Sequence, residues 1–174
     1  MNNLGLVHLY YGDGKGKSTA AAGLCLRALA AGFPVTVIRF LKSGEYNSGE
    51  ALMLEEKGAV VINGKATDKF VARMDEEEKR ATRQRQDEIL NSLLKAETQG
   101  LLVLDEAVSA CSYGLADEEL LRSVIAHRPQ GLEIVLTGRE PKQWMIEAAD
   151  YITEFKKVRH PYDKGIRARK GIEY

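Results

Sequence analysis

Leu6-Val7-His8-Leu9-Tyr10-Tyr11 runs directly into Gly12-Asp13-Gly14-Lys15-Gly16-Lys17-Ser18-Thr19, and a helical stretch opens immediately behind it. A short apolar and aromatic run bounded by glycines reads as a buried strand, and the glycines supply a turn in which backbone N–H groups converge. Strand, turn and helix N-terminus together make a cradle for phosphate: convergent donors, the positive end of a helix, a lysine, and a hydroxyl for a metal ion. Gly16-Lys17-Ser18 supplies the last part of the G-x-x-x-x-G-K-[ST] pattern, but the first glycine of that pattern falls on Tyr11, with Gly12 one place late. The alternative is a glycine-rich turn that merely joins strand to helix. The strand before it and the helix after it favour the cradle, so Gly12, Asp13, Gly14, Lys15, Gly16, Lys17, Ser18 and Thr19 are the candidate triphosphate contacts.

Beyond this unit, short apolar runs alternate with helical segments, which is the signature of a parallel α/β sheet. Strands are expected over Gly5–Tyr10, Val35–Phe40, Ala59–Ile62, Leu101–Leu104, Glu133–Leu136 and Tyr151–Glu154. Helices are expected over Lys17–Ala31, Ser48–Lys57, Asp75–Glu97, Asp117–His127 and Pro141–Ala148, with Gly32 and Gly58 as C-terminal caps. Asp75–Glu97 is so charged in its first half that it reads as a long solvated helix with a late stripe of Ile89, Leu90, Leu93 and Leu94. The fold class is therefore α/β: a P-loop NTPase-like (RecA-like), mostly parallel six-stranded sheet with helices on both faces. With 174 residues and no repeat or linker, the chain reads as one domain, residues 1–174.

Leu101-Leu102-Val103-Leu104-Asp105-Glu106 places a carboxylate at the C-terminal edge of a buried strand, where ligands of open α/β sheets bind. An acid there can hold Mg²⁺ alongside the Ser18 hydroxyl, so Ser18, Asp105 and Glu106 are the candidate metal residues, with their division of roles open. The alternative is a strand-end acid that caps the next segment. Arg27, mid-way along an apolar helix, reads equally as a ligand or subunit contact and as a solvated arginine. Arg39 to Gly44 and Thr137-Gly138-Arg139 follow strands at the same edge and are further candidates for phosphate contact. Trp144 reads as packing, and His160 lacks the spaced companions of a metal site. Cys25 and Cys111 lack C-x-x-C spacing and read as reduced thiols. Lys+Arg and Asp+Glu balance at 25 each, so no overall field recruits nucleic acid or an anionic membrane. No run reaches the ~18 apolar residues of a membrane span and no leader pattern opens the chain, so a cytoplasmic location is expected.

YYGDGKGKSTAAAGLCLRALAAG, FLKSG, VLDE, IVLTGR and the tail KVRHPYDKGIRARKGIEY occur in an order that resembles the phosphate-loop-type ATP:corrinoid adenosyltransferases of cobalamin biosynthesis. That family's loop, G-N-G-K-G-K-T-T, carries the same displaced glycine. Its ending, K-H-A-F-D-A-G-V-K-A-Q-M-G-I-D-Y, is similar to this chain from Arg159 to Tyr174. The resemblance implies transfer of the 5′-deoxyadenosyl group of ATP to the Co(I) of a corrinoid, with release of triphosphate. It implies Mg²⁺ with ATP, a corrinoid as second substrate, and an electron donor that reduces the cobalt; a homodimer is expected. Lys17 and Glu106 would be the catalytic residues, and ATP would lie in the reverse sense to most phosphate-loop enzymes. Arg27 falls on a family arginine near the nucleotide. Arg39 stands where the family often has Gln, so one nucleotide contact changes character. Phe70 aligns with one of two aromatics set against the corrin, while Ala72 takes the place of the other. With its first strand expected from Gly5, the chain is expected to lack the longer N-terminal arm of some relatives.

Two other functions share these motifs: a RecA-like ATPase or nucleotide kinase acting at the γ-phosphate, and a non-enzymatic ATP- or corrinoid-binding module. The tail from Lys156 to Tyr174 is basic, and Pro161, Gly165 and Gly171 suit a shaped path better than a frayed helix. It is expected to pack back over the sheet's C-terminal edge and help close the site.

Overall fold

The branched and leucine-rich runs form six strands, β1 Val7–Tyr11, β2 Val35–Arg39, β3 Val60–Asn63, β4 Gly100–Asp105, β5 Leu132–Gly138 and β6 Tyr151–Glu154. They make one sheet in the order β3-β2-β4-β5-β1-β6. Every pairing among the described residues is parallel. The computed structural model describes residues 5–44 and 48–173; Tyr174, the last residue of the tail, lies outside them.

Alternate residues of β1 to β5 feed opposite cores, as the pleat requires, whereas all four residues of the edge strand β6 are exposed. On one face, Ala21 and Cys25 of α1 (Lys17–Ala30) and Leu54 of α2 (Gly49–Glu56) pack on Val35, Val37, Leu101, Val103 and Val135. On the other lie α3 (Glu76–Lys95), α4 (Ala107–Ser112), α5 (Glu118–Ala126) and α6 (Gln143–Ala148). Leu90, Val108, Leu121 and Met145 of these helices pack on Leu9, Ile38, Leu102, Leu104, Ile134 and Leu136. Both faces of β4 are covered and all six of its residues are buried, which accounts for its unbroken apolar run.

Gly32 and Gly58 end α1 and α2 in the left-handed region, at φ 80° and 94°. Around Gly32, its own N–H reaches Leu29 O at 2.9 Å and the Phe33 N–H reaches Ala28 O at 3.0 Å, a Schellman arrangement that α2 repeats. α3 opens on a capping box between Asp75 and Glu78. Its expected solvation holds for most of its surface, yet Thr82 and Gln86 are fully buried in line with Leu90, one turn apart. The Gln86 amide donates to Phe40 O at 2.7 Å and so fixes the chain leaving β2. α4 is absent from the sequence reading. It is only six residues long and nearly all buried, so it has no polar face to produce a helical period.

Gly100 opens β4 at φ 77°, and a Cβ there would stand 2.2 Å from Pro34 O. Because backbone strain and backbone clash coincide, Gly100→Ala is expected to destabilise the domain by about 2 kcal/mol or more, read from the midpoint of urea unfolding.

Candidate active site

β1 stays paired through Tyr11, opposite Gly138 on one side and Glu154 on the other, so the turn cannot begin before Gly12. That is the physical reason for the displaced glycine. The chain leaving β6 then runs alongside the loop: Phe155 N–H donates to Tyr11 O at 2.7 Å and Gly14 N–H donates to Phe155 O at 2.6 Å. A Cβ on Gly12 or Gly14 would lie 2.5 or 2.6 Å from that same Phe155 oxygen, so neither position admits a side chain. Gly16 caps α1 at φ 115°, and Lys17 is its first residue.

The Lys17 ammonium is almost buried and donates to Gly12 O at 2.7 Å and Gly14 O at 2.8 Å, bracing the loop from within. Burial draws its pKa down, and the nearby Glu106 and Asp105 charges oppose that shift. Asp13 turns its carboxylate toward the tail, where Oδ1 accepts the Lys157 N–H at 2.9 Å; this bond is the main cause of its lowered pKa.

Asp105 ends β4 as a buried carboxylate whose Oδ1 accepts the Ser18 hydroxyl at 2.8 Å and the Thr137 hydroxyl at 2.7 Å. Burial raises its pKa, and those two hydrogen bonds hold the rise in check. Glu106 follows at φ 59°, the one positive-φ residue other than glycine among the described residues. Arg39, paired in register with Asp105 at the end of β2, is buried and reaches Ser48 Oγ at 3.2 Å. Burial lowers its pKa, with Asp105 the leading opposing charge.

These groups border one cleft of 640 Å³. Its rim is the loop from Asp13 to Thr19, and its floor is Asp105 and Glu106. Arg39, Lys42, Glu50 and Arg139 line its sides, with Ala21, Ala22, Cys25, Val37, Leu54 and Val103 as an apolar wall. The tail crosses the mouth, contributing His160, Gly171, Ile172 and Glu173. A smaller adjoining cavity of 320 Å³ opens between Lys15 and the tail. Arg169 grips Glu173 through its N–H at 2.8 Å and its Nη2 at 2.9 Å, and this holds the Glu173 carboxyl down at about 2.

Of the residues singled out from sequence, Asp13 to Ser18, Thr19, Arg39, Asp105 and Glu106 all line the cleft. Gly12 lies behind it, with its carbonyl turned to Lys17. Arg27 is solvent-exposed on α1, beside Tyr10 and outside the cleft lining. Phe70 is 77% exposed and also outside that lining, just before a 3₁₀ turn at Val71–Arg73. Arg139 reaches the cleft, whereas Thr137 lies beneath it. Trp144 donates to Glu118 at 2.6 Å under the Arg122 guanidinium and packs on the core. Among the described residues, no three His, Cys, Asp or Glu side chains are grouped to hold a metal. The sequence reading missed Phe155 as the backing of the loop and Thr137 as a link between the acids. The one available signal was a polar residue closing the apolar run Ile134-Val135-Leu136.

Lys17→Ala is expected to weaken ATP binding about 100-fold by equilibrium titration, since it removes a cleft-lining ammonium that also braces the Gly12 and Gly14 carbonyls of the loop. The melting temperature should fall by only a few degrees, because alanine suits a helix start. Deleting residues 162–174 is expected to raise KM for one substrate about fivefold or more with the melting temperature nearly unchanged, because the tail borders the cleft rather than the core.

The family profile described as ATP:corrinoid adenosyltransferase BtuR/CobO/CobP matches residues 3–174. A corrinoid adenosyltransferase of Sinorhizobium sp. is 32% identical over 173 residues, covering 98% of this chain and 80% of the relative. Those of Pseudomonas aeruginosa and Escherichia coli K12 are 32% and 30% identical, each over 98% of this chain. Among solved structures, the genome packaging NTPase B204 of Sulfolobus turreted icosahedral virus 2, in complex with AMP, aligns with 93% of this chain and 79% of its own, at a TM-score of 0.46 and 20% identity. With the profile spanning nearly the whole chain, this protein belongs to the ATP:corrinoid adenosyltransferase family.

Proposed function

We propose that this protein transfers the 5′-deoxyadenosyl group of ATP to the Co(I) of a corrinoid and releases triphosphate, in the synthesis or salvage of adenosylcobalamin. The observation that carries the reading is a cleft lined by a phosphate loop in which, among the described residues, neither the Ser18 hydroxyl nor the Cys25 thiol is activated. The Ser18 hydroxyl is committed to Asp105, and burial pushes the Cys25 thiol up to about 12. The electron pair that attacks C5′ must therefore arrive with the acceptor, and Co(I) supplies it. The new bond joins cobalt to C5′, the C5′–O bond breaks, and that electron pair leaves on triphosphate.

The protein's share is alignment and charge stabilisation. Lys17, Lys15 and the N–H groups at the start of α1 face the departing triphosphate, with Arg39, Lys42 and Arg139 on the flanks. ATP lies with C5′ toward the acceptor, the reverse of γ-phosphate chemistry. The donor set fits Mg²⁺: Ser18, Asp105 and Glu106 offer hard oxygens, and two or three such groups suffice when phosphate and water complete the shell. When bound, Mg²⁺ would neutralise charge growing on the triphosphate. Since Asp105 already accepts two hydroxyls, Ser18 and Glu106 would be its direct contacts and Asp105 the group behind them. Arg27 and Phe70, both outside the cleft, would act only at a corrinoid or subunit contact.

A reductant that brings cobalt to Co(I) belongs to the same proposal. So does a homodimer, supported by the edge strand β6, where Tyr151 and Ile152 are 54% and 48% exposed. Sedimentation at micromolar concentration should give twice the 19.3 kDa chain mass. No helix among the described residues is long and apolar enough to cross a membrane.

Incubated with reduced cobalamin and Mg-ATP, the wild type should yield a light-sensitive cobalt–carbon bond and triphosphate in equal amounts. Rapid orthophosphate release without corrinoid would instead favour the ATPase. Glu106→Gln should lower kcat by about 10- to 100-fold while leaving the products unchanged.

A further inference from the structure

Thr137 is fully buried at the end of β5, and its hydroxyl lies between the two acids of the cleft floor. It donates to Asp105 Oδ1 at 2.7 Å and accepts the backbone N–H of Glu106 at 2.8 Å. A threonine hydroxyl has one proton, so this pair of bonds fixes its direction: proton toward Asp105, lone pair toward Glu106. The peptide it holds belongs to Glu106 at φ 59°, a left-handed conformation that a residue with a side chain keeps only where its surroundings impose it. In that conformation the Glu106 carboxylate lines the cleft.

Thr137 itself has little freedom to move. A Cβ on the next residue, Gly138, would stand 2.5 Å from the Val108 side chain and 2.8 Å from Ser109 N, so β5 ends hard against α4. In the other direction, the Gly138 and Arg139 carbonyls accept the Gly12 N–H of the phosphate loop at 3.2 and 3.1 Å. One short turn thus touches both acids, α4 and the loop.

We infer that Thr137 is a positioning residue for the reaction. Its hydroxyl aims the Glu106 carboxylate through the strained peptide and holds Asp105 at the Ser18 hydroxyl, without touching either substrate. The inference rests on the adenosyl-transfer reading of the cleft. A purely structural threonine, present only to satisfy a buried carboxylate, would affect stability and leave turnover and metal dependence alone.

The test compares Thr137→Val, which keeps the shape and loses the hydroxyl, with Thr137→Ser, which keeps the hydroxyl, both in the full chain. The valine variant should lose about 30-fold or more in kcat with KM for the corrinoid within about twofold, and the serine variant should stay within about threefold of wild type. As a readout independent of turnover, the Mg²⁺ concentration for half-maximal ATP binding should rise about fivefold or more in the valine variant, with ATP binding in excess chelator unchanged. A valine variant with wild-type kcat and Mg²⁺ dependence, or a serine variant as impaired as the valine one, overturns the inference. If the valine variant does not fold, Thr137→Ala takes its place against Thr137→Ser under the same criteria. If the wild type binds Mg-ATP but forms no cobalt–carbon bond, the transfer reading fails, and the Mg²⁺ titration still decides the role of Thr137.

Discussion

Asp105 is a carboxylate buried at the centre of the sheet's C-terminal edge, and such a group costs several kcal/mol unless its lone pairs are met. The rest of the polar layer follows from meeting them. Ser18 must stand at the first turn of α1 to reach it, which fixes how that helix leaves the phosphate loop. Thr137 must close β5 one strand away, and Arg39 ends β2 on the other side, in register with the acid. Three adjacent strands therefore finish in polar residues at one level, directly beneath the helix N-terminus that meets phosphate. Remove the carboxylate and the Ser18 and Thr137 hydroxyls lose the acceptor they share, so the polar groups of the cleft floor lose their common geometry.

The loop depends on a second contact, with the chain that leaves β6. Phe155 occupies the space that side chains at positions 12 and 14 would need, and its carbonyl takes the Gly14 N–H. The glycines are thus required from behind as well as by the ligand in front. Asp13 extends this backing by accepting the Lys157 N–H, a bond that the Asn of the family's usual loop can make equally well. What Asp adds is a negative charge beside Lys157 and Lys17. Loop and tail share these bonds, and the tail next crosses the cleft mouth at His160 and Ile172.

The sheet, the phosphate loop and the acid pair were legible because each is written locally: apolar runs of strand length, glycines before a helix, a carboxylate closing a leucine run. What escaped was set by tertiary partners. α4 is buried nearly all round and has no period to read. Thr82 and Gln86 look solvated in a charged helix, yet both are buried: Ala66, after β3, donates its N–H to Thr82, and Gln86 holds Phe40 in place. Arg27, for which ligand contact and solvation were equally open from sequence, faces solvent, because α1 turns Ala21 and Cys25 to the sheet and leaves position 27 outside. Phe155 belongs to no motif; its importance comes from the two glycines it abuts, more than 140 positions away in the chain.

The apolar wall of the cleft has a chemical consequence for adenosyl transfer. A site that presents an electrophilic carbon must not offer it a nucleophile that competes with the acceptor. Cys25 lies in that wall, and a thiolate there would be a rival for C5′. Packed among Ala21, Val37 and Val103 at 1% exposure, with the Asp105 charge nearby, the thiol is pushed up to about 12 and stays protonated at neutral pH. The Ser18 hydroxyl is likewise turned toward Asp105. Burial of this one thiol and the hydrogen bond of this one hydroxyl thus remove two rivals to the incoming cobalt from among the described residues of the cleft.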